Sequence, residues 1–421
     1  MKIAVIGLGY VGLPLARLFS TQYTTIGFDK NQKRVAQLMA QQDTTGEVAQ
    51  NLLTKAIKNG FVCTNQLEEI ANCNVYIIAV PTPVDQNNRP DLTPLLNASA
   101  TVGKVLSKND IVIYESTVYP GVTEEECVPV LSTTSGLTFN RDYFVGYSPE
   151  RNNPGDKEHT VEKITKVTSG STPEIANFVD QLYNSVLLNG TFKASSIRVA
   201  EASKIIENTQ RDINIAFVNE LAKIFNAMNI DTSEVLEAAA TKWNFIKMKP
   251  GLVGGHCIGV DPYYLIQKAK VYGIMPRLMS EARSLNNGMG EYVANQVIKI
   301  MNKKGITVKD AKILILGVTF KENCPDIRNT KVIDIYSTLN EYTANITVCD
   351  PLASQTAIAE EYKITIVNHL DTLKQNEYDA VILAVAHHEF ANINIRSLLN
   401  KTGIVYDVKE FLDKTLIEGR L

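Results

Sequence analysis

Apolar positions follow two alternating rhythms along the chain. Residues 2–7, KIAVIG, form a short β-branched run that closes on a glycine, and GYVGLPLARLFS then continues at helical spacing through Leu13, Leu15, Ala16 and Leu18. This pattern predicts a strand, a glycine turn and a helix. Further strand-like runs lie at 24–29 (TTIGFD), 73–83 (CNVYIIAVPTP) and 110–117 (DIVIYEST), separated by helix-compatible stretches. Strands of this kind alternating with helices predict a parallel sheet covered on both faces. Between about residues 196 and 228 the chain lacks Gly and Pro and keeps an apolar stripe through Ala200, Ile205, Ile206, Ile213, Ala216, Leu221 and Phe225. That predicts one helix of roughly 30 residues, ~45 Å long. It far exceeds the mean globular helix and suits a spine between domains and between subunits. A second helix-rich stretch covers 276–304. From Ala311 the α/β rhythm returns, with strand-like runs at 311–320, 345–351, 378–390 and 403–408. The third of these, YDAVILAV, resembles CNVYIIAV of the first half, a likeness that an internal repeat or shared buried-strand composition explains equally well. The expected architecture is α/β: two doubly wound Rossmann-like domains, 1–195 and 306–421, joined by a helical central domain, 196–305, that holds the spine.

Composition narrows the function classes. At 421 residues and 45% apolar content, the chain suits two or three domains of ~150 residues with substantial cores. A formal charge of −3 without a basic block provides no footprint for nucleic acid or an anionic membrane. There is no apolar run of about 18 residues and no signal-peptide pattern at the start, so a cytoplasmic protein is expected. The six cysteines show neither CxxC pairs nor zinc-type spacing. Reduced thiols are expected, five of them as small packing groups, with no metal site.

Three features carry candidate chemistry. Gly7, Gly9 and Gly12 have the G-x-G-x-x-G spacing between a predicted strand and helix, which permits a tight turn, close approach of a pyrophosphate and helix packing. Asp29 ends the second strand, 20 residues after Gly9, where a carboxylate can bond both ribose hydroxyls and repel a 2′-phosphate. NAD is therefore expected over NADP, a preference that Lys30, Lys33 and Arg34 weaken slightly. Lys204, Asn208 and Asp212 share one helix face, either as a solvated stripe or as a functional one. Cys257 lies in GLVGGHCIGVDPYY (251–264), among Gly251, Gly254 and Gly255, where little bulk shields a thiol. His256, adjacent in sequence, is a doubtful activating base. A dinucleotide site with an accessible thiol suits capture of an aldehyde and its further oxidation. A one-step hydroxyacid-type dehydrogenase, which needs no cysteine, and a non-catalytic NAD-binding sensor are the competing readings.

GLGYVGLPLA, VPTP (80–83), ESTVYPG (115–121), YSPER (147–151), EASKIIENTQRDINIAFVNE (201–220), GGHCIGVDP (254–262) and FKENCPDIRNT (320–330) occur in an order that resembles the UDP-glucose/GDP-mannose dehydrogenase family over essentially the whole chain. The resemblance implies oxidation of a nucleotide sugar's C6 alcohol to a carboxylate with two NAD+. It implies NAD held by Gly7, Gly9, Tyr10, Val11, Gly12, Asp29, Arg34, Pro81, Thr82 and Thr117, with Arg328 also in reach. Cys257 is implied as nucleophile, with Lys204, Asn208 and Asp261 around the C6 oxygen, Thr117 near a catalytic water and Glu150 as base for thioester hydrolysis. Substrate contacts are implied for Glu150, Arg151, Lys204, Asn208, Gly254, Gly255 and, at the nucleotide end, Lys321 and Arg328. UDP-glucose enzymes typically carry Pro and Lys where Gly259 and Val260 stand, and often a second glutamate where Pro154 falls. These departures resemble the UDP-N-acetylhexosamine branch, and GGHCIGVDPYYL is closer to its N-acetylglucosamine and N-acetylgalactosamine members than to the N-acetylmannosamine ones. UDP-N-acetylmannosamine and UDP-glucose remain alternative substrates. The implied role is cytoplasmic supply of a uronic acid donor for surface polysaccharide, such as capsule or O-antigen, by a homodimer or higher homo-oligomer.

Overall fold

Strands that are apolar on both faces fold only where both faces can be covered, and this governs the topology. The computed structural model describes residues 1–85, 87–151, 158 and 160–421. Pro154 lies outside the described residues. The chain divides into two compact units, Met1–Glu207 with Tyr263–Ile274, and Asn208–Pro262 with Met275–Leu421.

The first unit holds β1 (Lys2–Ile6), β2 (Thr24–Phe28), β3 (Val62–Thr64), β4 (Val75–Ile78), β5 (Ile111–Tyr114), β6 (Phe144–Tyr147), β7 (Lys166–Gly170) and β8 (Thr191–Lys193). They form one sheet in the order β3-β2-β1-β4-β5-β6-β7-β8. Pairing is parallel from β3 to β6, antiparallel between β6 and β7, and parallel again between β7 and β8. Side chains alternate between the faces. Ile3, Val5, Ile77 and Ile113 enter one apolar cluster, and Ala4, Ile6, Tyr76, Ile78 and Val112 enter the opposite one. Helix Gly12–Phe19 covers the first cluster with Leu13, Leu15 and Ala16.

The polar character of β7, KVTSG, hides it from a hydrophobic-pattern reading. Its buried hydroxyls are satisfied only in the tertiary structure: Thr168 donates to Asp180 at 2.7 Å and Ser169 to the Tyr147 carbonyl at 2.9 Å. The predicted spine is a continuous helix, Ile197–Met228, of 32 residues. Residues up to Glu207 belong to the first unit and those from Asn208 to the second.

In the second unit, β9 (Ile313–Leu316), β10 (Ile346–Cys349), β11 (Tyr378–Leu383), β12 (Leu399–Asp407) and β13 (Gly419–Arg420) form a parallel sheet in the order β10-β9-β11-β12-β13. Both sheets are doubly wound, as expected. The two similar strands of the sequence, β4 and β11, take equivalent places, each beside the first strand of its sheet where the winding reverses. The glycine turns are alike too. Leu8 N donates to Asp29 beyond β2 at 2.9 Å, while Val318 N and Thr319 N donate to Asp350 beyond β10 at 2.6 and 3.1 Å. Among the described residues no helix is long and apolar enough to cross a membrane.

The chain end is fastened electrostatically. Asp231 caps helix Thr232–Ala239 through the N–H groups of Ser233 and Glu234, and also receives Arg420 at 2.7 Å and Lys414 at 2.9 Å. Burial alone would raise its pKa, but Arg420 and Lys414 outweigh that and hold the carboxyl at about 2. A carboxyl depressed in the folded state stabilises the fold above its unfolded pKa and loses that contribution as pH falls through the folded value. At neutral pH the expected order of thermal stability is wild type, then Asp231→Asn, then Asp231→Ala, with the cap alone worth about 1 kcal/mol. Calorimetry should show the gap between wild type and Asp231→Asn closing as pH falls from about 4 toward about 2.

Candidate active site

The glycine turn of the first unit is built for a phosphate. Gly7 has φ +93°, and a Cβ there would lie 2.8 Å from the Ala79 carbonyl oxygen. A Cβ on Gly12 would lie 1.8 Å from the Gly7 carbonyl oxygen. Those two glycines answer to the protein's own packing. Gly9 is different: a Cβ there would meet no heavy atom within 4 Å. The open space leaves room for a ligand to approach the backbone, so the turn fits a dinucleotide pyrophosphate at the start of helix Gly12–Phe19. Tyr10 and Val11 complete the turn, with Val11 at the helix cap position.

Asp29 is half-buried at the end of β2, and its two oxygens accept the N–H groups of Leu8 and Asn31, both at 2.9 Å. These bonds aim the carboxylate beside the turn and leave it lone pairs for hydroxyl donors. Arg34 points inward. Its guanidinium donates to the Leu8 carbonyl at 2.9 Å and to Asp43 at 2.8 Å, so it braces the turn from beneath. Asp350, the counterpart of Asp29, is fully buried and also bonded to His387 at 3.0 Å. Of these two carboxylates, Asp29 is therefore the one open to a ribose.

The loops after β4, β5 and β6 are tied to one another. Thr82 donates to the Thr117 carbonyl at 2.7 Å, Ser116 to the Val80 carbonyl at 2.7 Å, and Tyr264 to the Thr82 carbonyl at 2.7 Å. These bonds set Pro81, Thr82 and Thr117 along the carboxyl edge of the sheet. Glu150 follows β6, nearly buried, and its Oε1 accepts the Arg151 N–H at 2.6 Å. Arg151 pairs with Glu207 at 2.8 Å and donates to the Thr165 carbonyl at 2.8 Å. Beneath this loop lie three residues that pattern reading missed. The Lys166 ammonium sits 2.6 Å from Glu115 and 3.1 Å from the Pro149 carbonyl, while the Tyr183 hydroxyl donates to the other oxygen of Glu115. Burial pushes the Glu115 carboxyl up to about 7, against the opposing pull of Lys166.

In the second unit the cysteine loop is held at both ends. Asn219 of the long helix accepts the Gly251 N–H at 2.8 Å and donates to the Gly251 carbonyl at 3.0 Å. Gly255 N donates to the Arg328 carbonyl at 3.2 Å, and Asn329 donates to the Gly255 carbonyl at 3.2 Å. Gly255 has φ +78°, with the Phe320 ring 2.7 Å from where a Cβ would stand, and a Cβ on Gly254 would lie 2.6 Å from the Asn329 carbonyl oxygen. Lys321 follows Phe320, its ammonium 5.5 Å from that ring. Arg328 bonds Asp326 at 2.9 Å. The segment FKENCPDIRNT thus forms the bed on which the cysteine loop rests.

Cys257 is partly exposed, whereas Cys63, Cys73, Cys127, Cys324 and Cys349 are buried, and all six are free of disulfides. Burial pushes the thiols of Cys63, Cys127 and Cys349 up to about 12, keeping them protonated and inert. The Cys257 carbonyl accepts the N–H groups of Val260 and Asp261, leading into helix Asp261–Val271. Asp261 and Asn208 meet, with the amide donating at 2.6 Å. Lys204, one helical turn before Asn208, is also buried. Asp212, the third polar position of that stripe, accepts Arg283 at 2.5 Å and Asn286 at 2.7 Å and is structural. Burial and the charge of Arg328 hold the His256 imidazole below its ordinary pKa, favouring its neutral form. Among the described residues no group of three His, Cys, Asp or Glu is arranged to hold a metal ion.

Two substitutions separate ligand demands from packing demands. Gly9→Ala should leave the melting temperature unchanged while weakening NAD binding by about tenfold or more in a titration, since the methyl group occupies only ligand space. Gly255→Ala should behave oppositely. Its positive φ and the Phe320 ring should displace the cysteine loop and cut turnover by at least about tenfold, with NAD affinity unchanged.

Comparison with known proteins agrees with this geometry. Models of the UDP-glucose/GDP-mannose dehydrogenase family match in series: the NAD binding domain at residues 1–187, the central domain at 198–288 and the UDP binding domain at 314–414. A UDP-N-acetyl-D-glucosamine 6-dehydrogenase of Pseudomonas aeruginosa is 57% identical, covering 100% of this chain and 99% of its own. An enzyme of the same name from Salmonella typhi is 52% identical over the same shares. Among solved structures, a UDP-D-ManNAc dehydrogenase of Pyrococcus horikoshii superimposes with a TM-score of 0.89 at 29% identity, covering 100% of this chain and 98% of its own. With a dinucleotide turn in its first sheet and a partly exposed cysteine on a braced glycine loop, the chain belongs to the UDP-glucose/GDP-mannose dehydrogenase family, and it is an NAD-dependent UDP-sugar dehydrogenase.

Proposed function

We propose that this enzyme oxidises the C6 hydroxyl of a UDP-N-acetylhexosamine, UDP-GlcNAc or its C4 epimer UDP-GalNAc, to the corresponding uronic acid, with Cys257 as covalent nucleophile. The observation that carries the chemistry is the contrast between Cys257 and the five buried cysteines. A thiol kept out of the core, on a loop that Asn219, Asn329 and Phe320 brace, is suited to reaction rather than packing. The sugar assignment draws support from the N-acetylglucosamine relatives, 57% and 52% identical, against 29% for the ManNAc enzyme.

When bound, NAD supplies the hydride acceptor for both oxidations. In the first, the alcohol gives its proton to a water that Asn208 and Asp261 position and its hydride to the acceptor, becoming an aldehyde, with Lys204 stabilising the alkoxide. The Cys257 thiolate adds to the carbonyl carbon, and the thiohemiacetal oxyanion meets the same ammonium. This bond retains the aldehyde until the second oxidation converts it to a thioester. Water then adds to the thioester carbon, its proton passing to Glu150, and the C–S bond breaks to release the carboxylate and regenerate the thiolate. Thr117 helps orient that water. Asp29, the glycine turn, Pro81 and Thr82 hold the dinucleotide, and Arg34 acts through the turn it braces. Gly254 and Gly255 let Asn329 and Phe320 close on the cysteine loop and so set its backbone against the sugar, Arg151 keeps Glu150 in place, and Lys321 and Arg328 offer cations to the nucleotide's pyrophosphate.

The same reading makes the protein a cytoplasmic homo-oligomer, at least a dimer, that supplies a uronic acid donor for surface polysaccharide. Phe217, Ile224 and Met228 stand exposed along one face of the long helix, and Trp243 is exposed beyond its end, as an apolar subunit interface requires.

With limiting sugar nucleotide, the expected yield is two NADH per UDP-N-acetylhexosamine, with UDP-glucose much the poorer substrate. One NADH per sugar would remove the thioester step. Cys257→Ala should lose essentially all overall turnover with its melting temperature unchanged; full activity in that variant would overturn the covalent mechanism.

A further inference from the structure

Burying an ammonium is expensive unless it is paired and bonded, and an apolar filling often stabilises a fold as well or better. Lys166 is nevertheless fully buried, as are Glu115 and Tyr183. Its place suggests what the pair is for. Lys166 starts β7 and lies 2.6 Å from Glu115, which follows β5. The Tyr183 hydroxyl donates to the second oxygen of Glu115, and the Tyr183 ring lies 5.4 Å from the ammonium. With its carboxylate and its aromatic wall in place, the ammonium directs another donor to the Pro149 carbonyl at 3.1 Å, the peptide unit leading directly into Glu150.

The other flank of Glu150 is fixed as well. Arg151 is anchored to the Thr165 carbonyl, next to Lys166 in the chain, and to Glu207 on the long helix. The Glu150 N–H donates to the Glu115 carbonyl at 3.3 Å. Glu150 therefore stands between two clamped neighbours, and its backbone hangs from the residue that neutralises the buried ammonium. Nothing in this set lies at the glycine turn. The backbone of Glu115 is separately held by Ile78, to whose carbonyl its N–H donates at 2.9 Å.

We infer that Lys166, set by Glu115 and Tyr183, is a positioning residue that fixes the Pro149–Glu150 peptide and so aims the Glu150 carboxylate at the water that cleaves the thioester. This rests on Glu150 being the hydrolytic base. The dependence is confined to the last step, because the hydride transfers and thiol addition do not use Glu150.

The test is rapid mixing of the full-length enzyme with NAD+ and UDP-GlcNAc, reading NADH formation and the intact mass of acid-quenched protein. The variants are Glu115→Gln with Lys166→Met, which removes both charges together, Tyr183→Phe as a milder change, Lys166→Arg as a conservative one, and Glu150→Gln as the reference. The double variant should form two NADH per site in the first turnover at the wild-type rate and then turn over roughly ten- to a hundredfold more slowly. It should accumulate the acyl adduct mass, with NAD affinity unchanged. Tyr183→Phe should shift the same step less, and Lys166→Arg should recover part of the steady-state rate. Slowing of the first NADH burst and of steady-state turnover by the same factor would mark a general structural role and overturn the inference, as would wild-type turnover in the double variant. Should the double variant fail to melt cooperatively, Tyr183→Phe decides on the same criteria. Failure of Glu150→Gln to accumulate the adduct would instead remove Glu150 as base, which is a separate outcome.

Discussion

A strand buried on both faces can present chemistry only at its ends. Because β1 to β6 run parallel, as do the strands of the second sheet, their carboxyl ends gather at one edge of each sheet, and the loops leaving that edge carry many of the polar groups of the candidate site. In the first unit Gly7, Asp29, Thr82, Thr117 and Glu150 all follow strands in this way. In the second, Lys321, Asp350 and His387 do the same. The bonds among the loops then convert a row of chain reversals into a surface of defined shape.

Two sheets with the same winding serve different ligands, and one carboxylate explains much of the difference. Asp29 and Asp350 occupy equivalent positions and both accept backbone N–H groups from the glycine turn. Asp29 remains half-open, whereas Asp350 is sealed by His387 and by the N–H groups of Leu352 and Ala353. Asn323 N donates to Nδ1 of His387, which leaves the ring proton on Nε2, facing Asp350. A saturated, buried carboxylate can brace a turn but cannot bind a ribose. The second turn accordingly shapes FKENCPDIRNT, the bed of the cysteine loop.

The cysteine loop combines a glycine-rich sequence with constraint in space. Its glycines admit close neighbours, and those neighbours, Phe320 and Asn329, come from the UDP binding domain. Phe320, Arg328 and Asn329, which hold Gly254 and Gly255, and Lys321 are thus parts of one segment. In the first unit it is a buried charge pair, Lys166 and Glu115, that bonds the loop before Glu150.

The sequence alone disclosed the alternation of strands and helices, the dinucleotide turn, the long helix and the candidate thiol, because each leaves a local trace: periodicity, glycine spacing, absence of breakers, or a cysteine among glycines. The same locality explains what stayed hidden. Strand β7 reads as polar because Thr168 and Ser169 find their partners at Asp180 and Tyr147, remote in sequence or across the sheet. Asp212 looks like the next member of the Lys204–Asn208 stripe until Arg283 and Asn286 claim it. Gly7, Gly9 and Gly12 look alike as letters, and only the tertiary structure shows that two answer to packing while the third faces open space. Lys166 and Glu115 are ordinary charged residues in the sequence. Their meaning was decided by folding, which brings together groups 51 residues apart and removes water from around both.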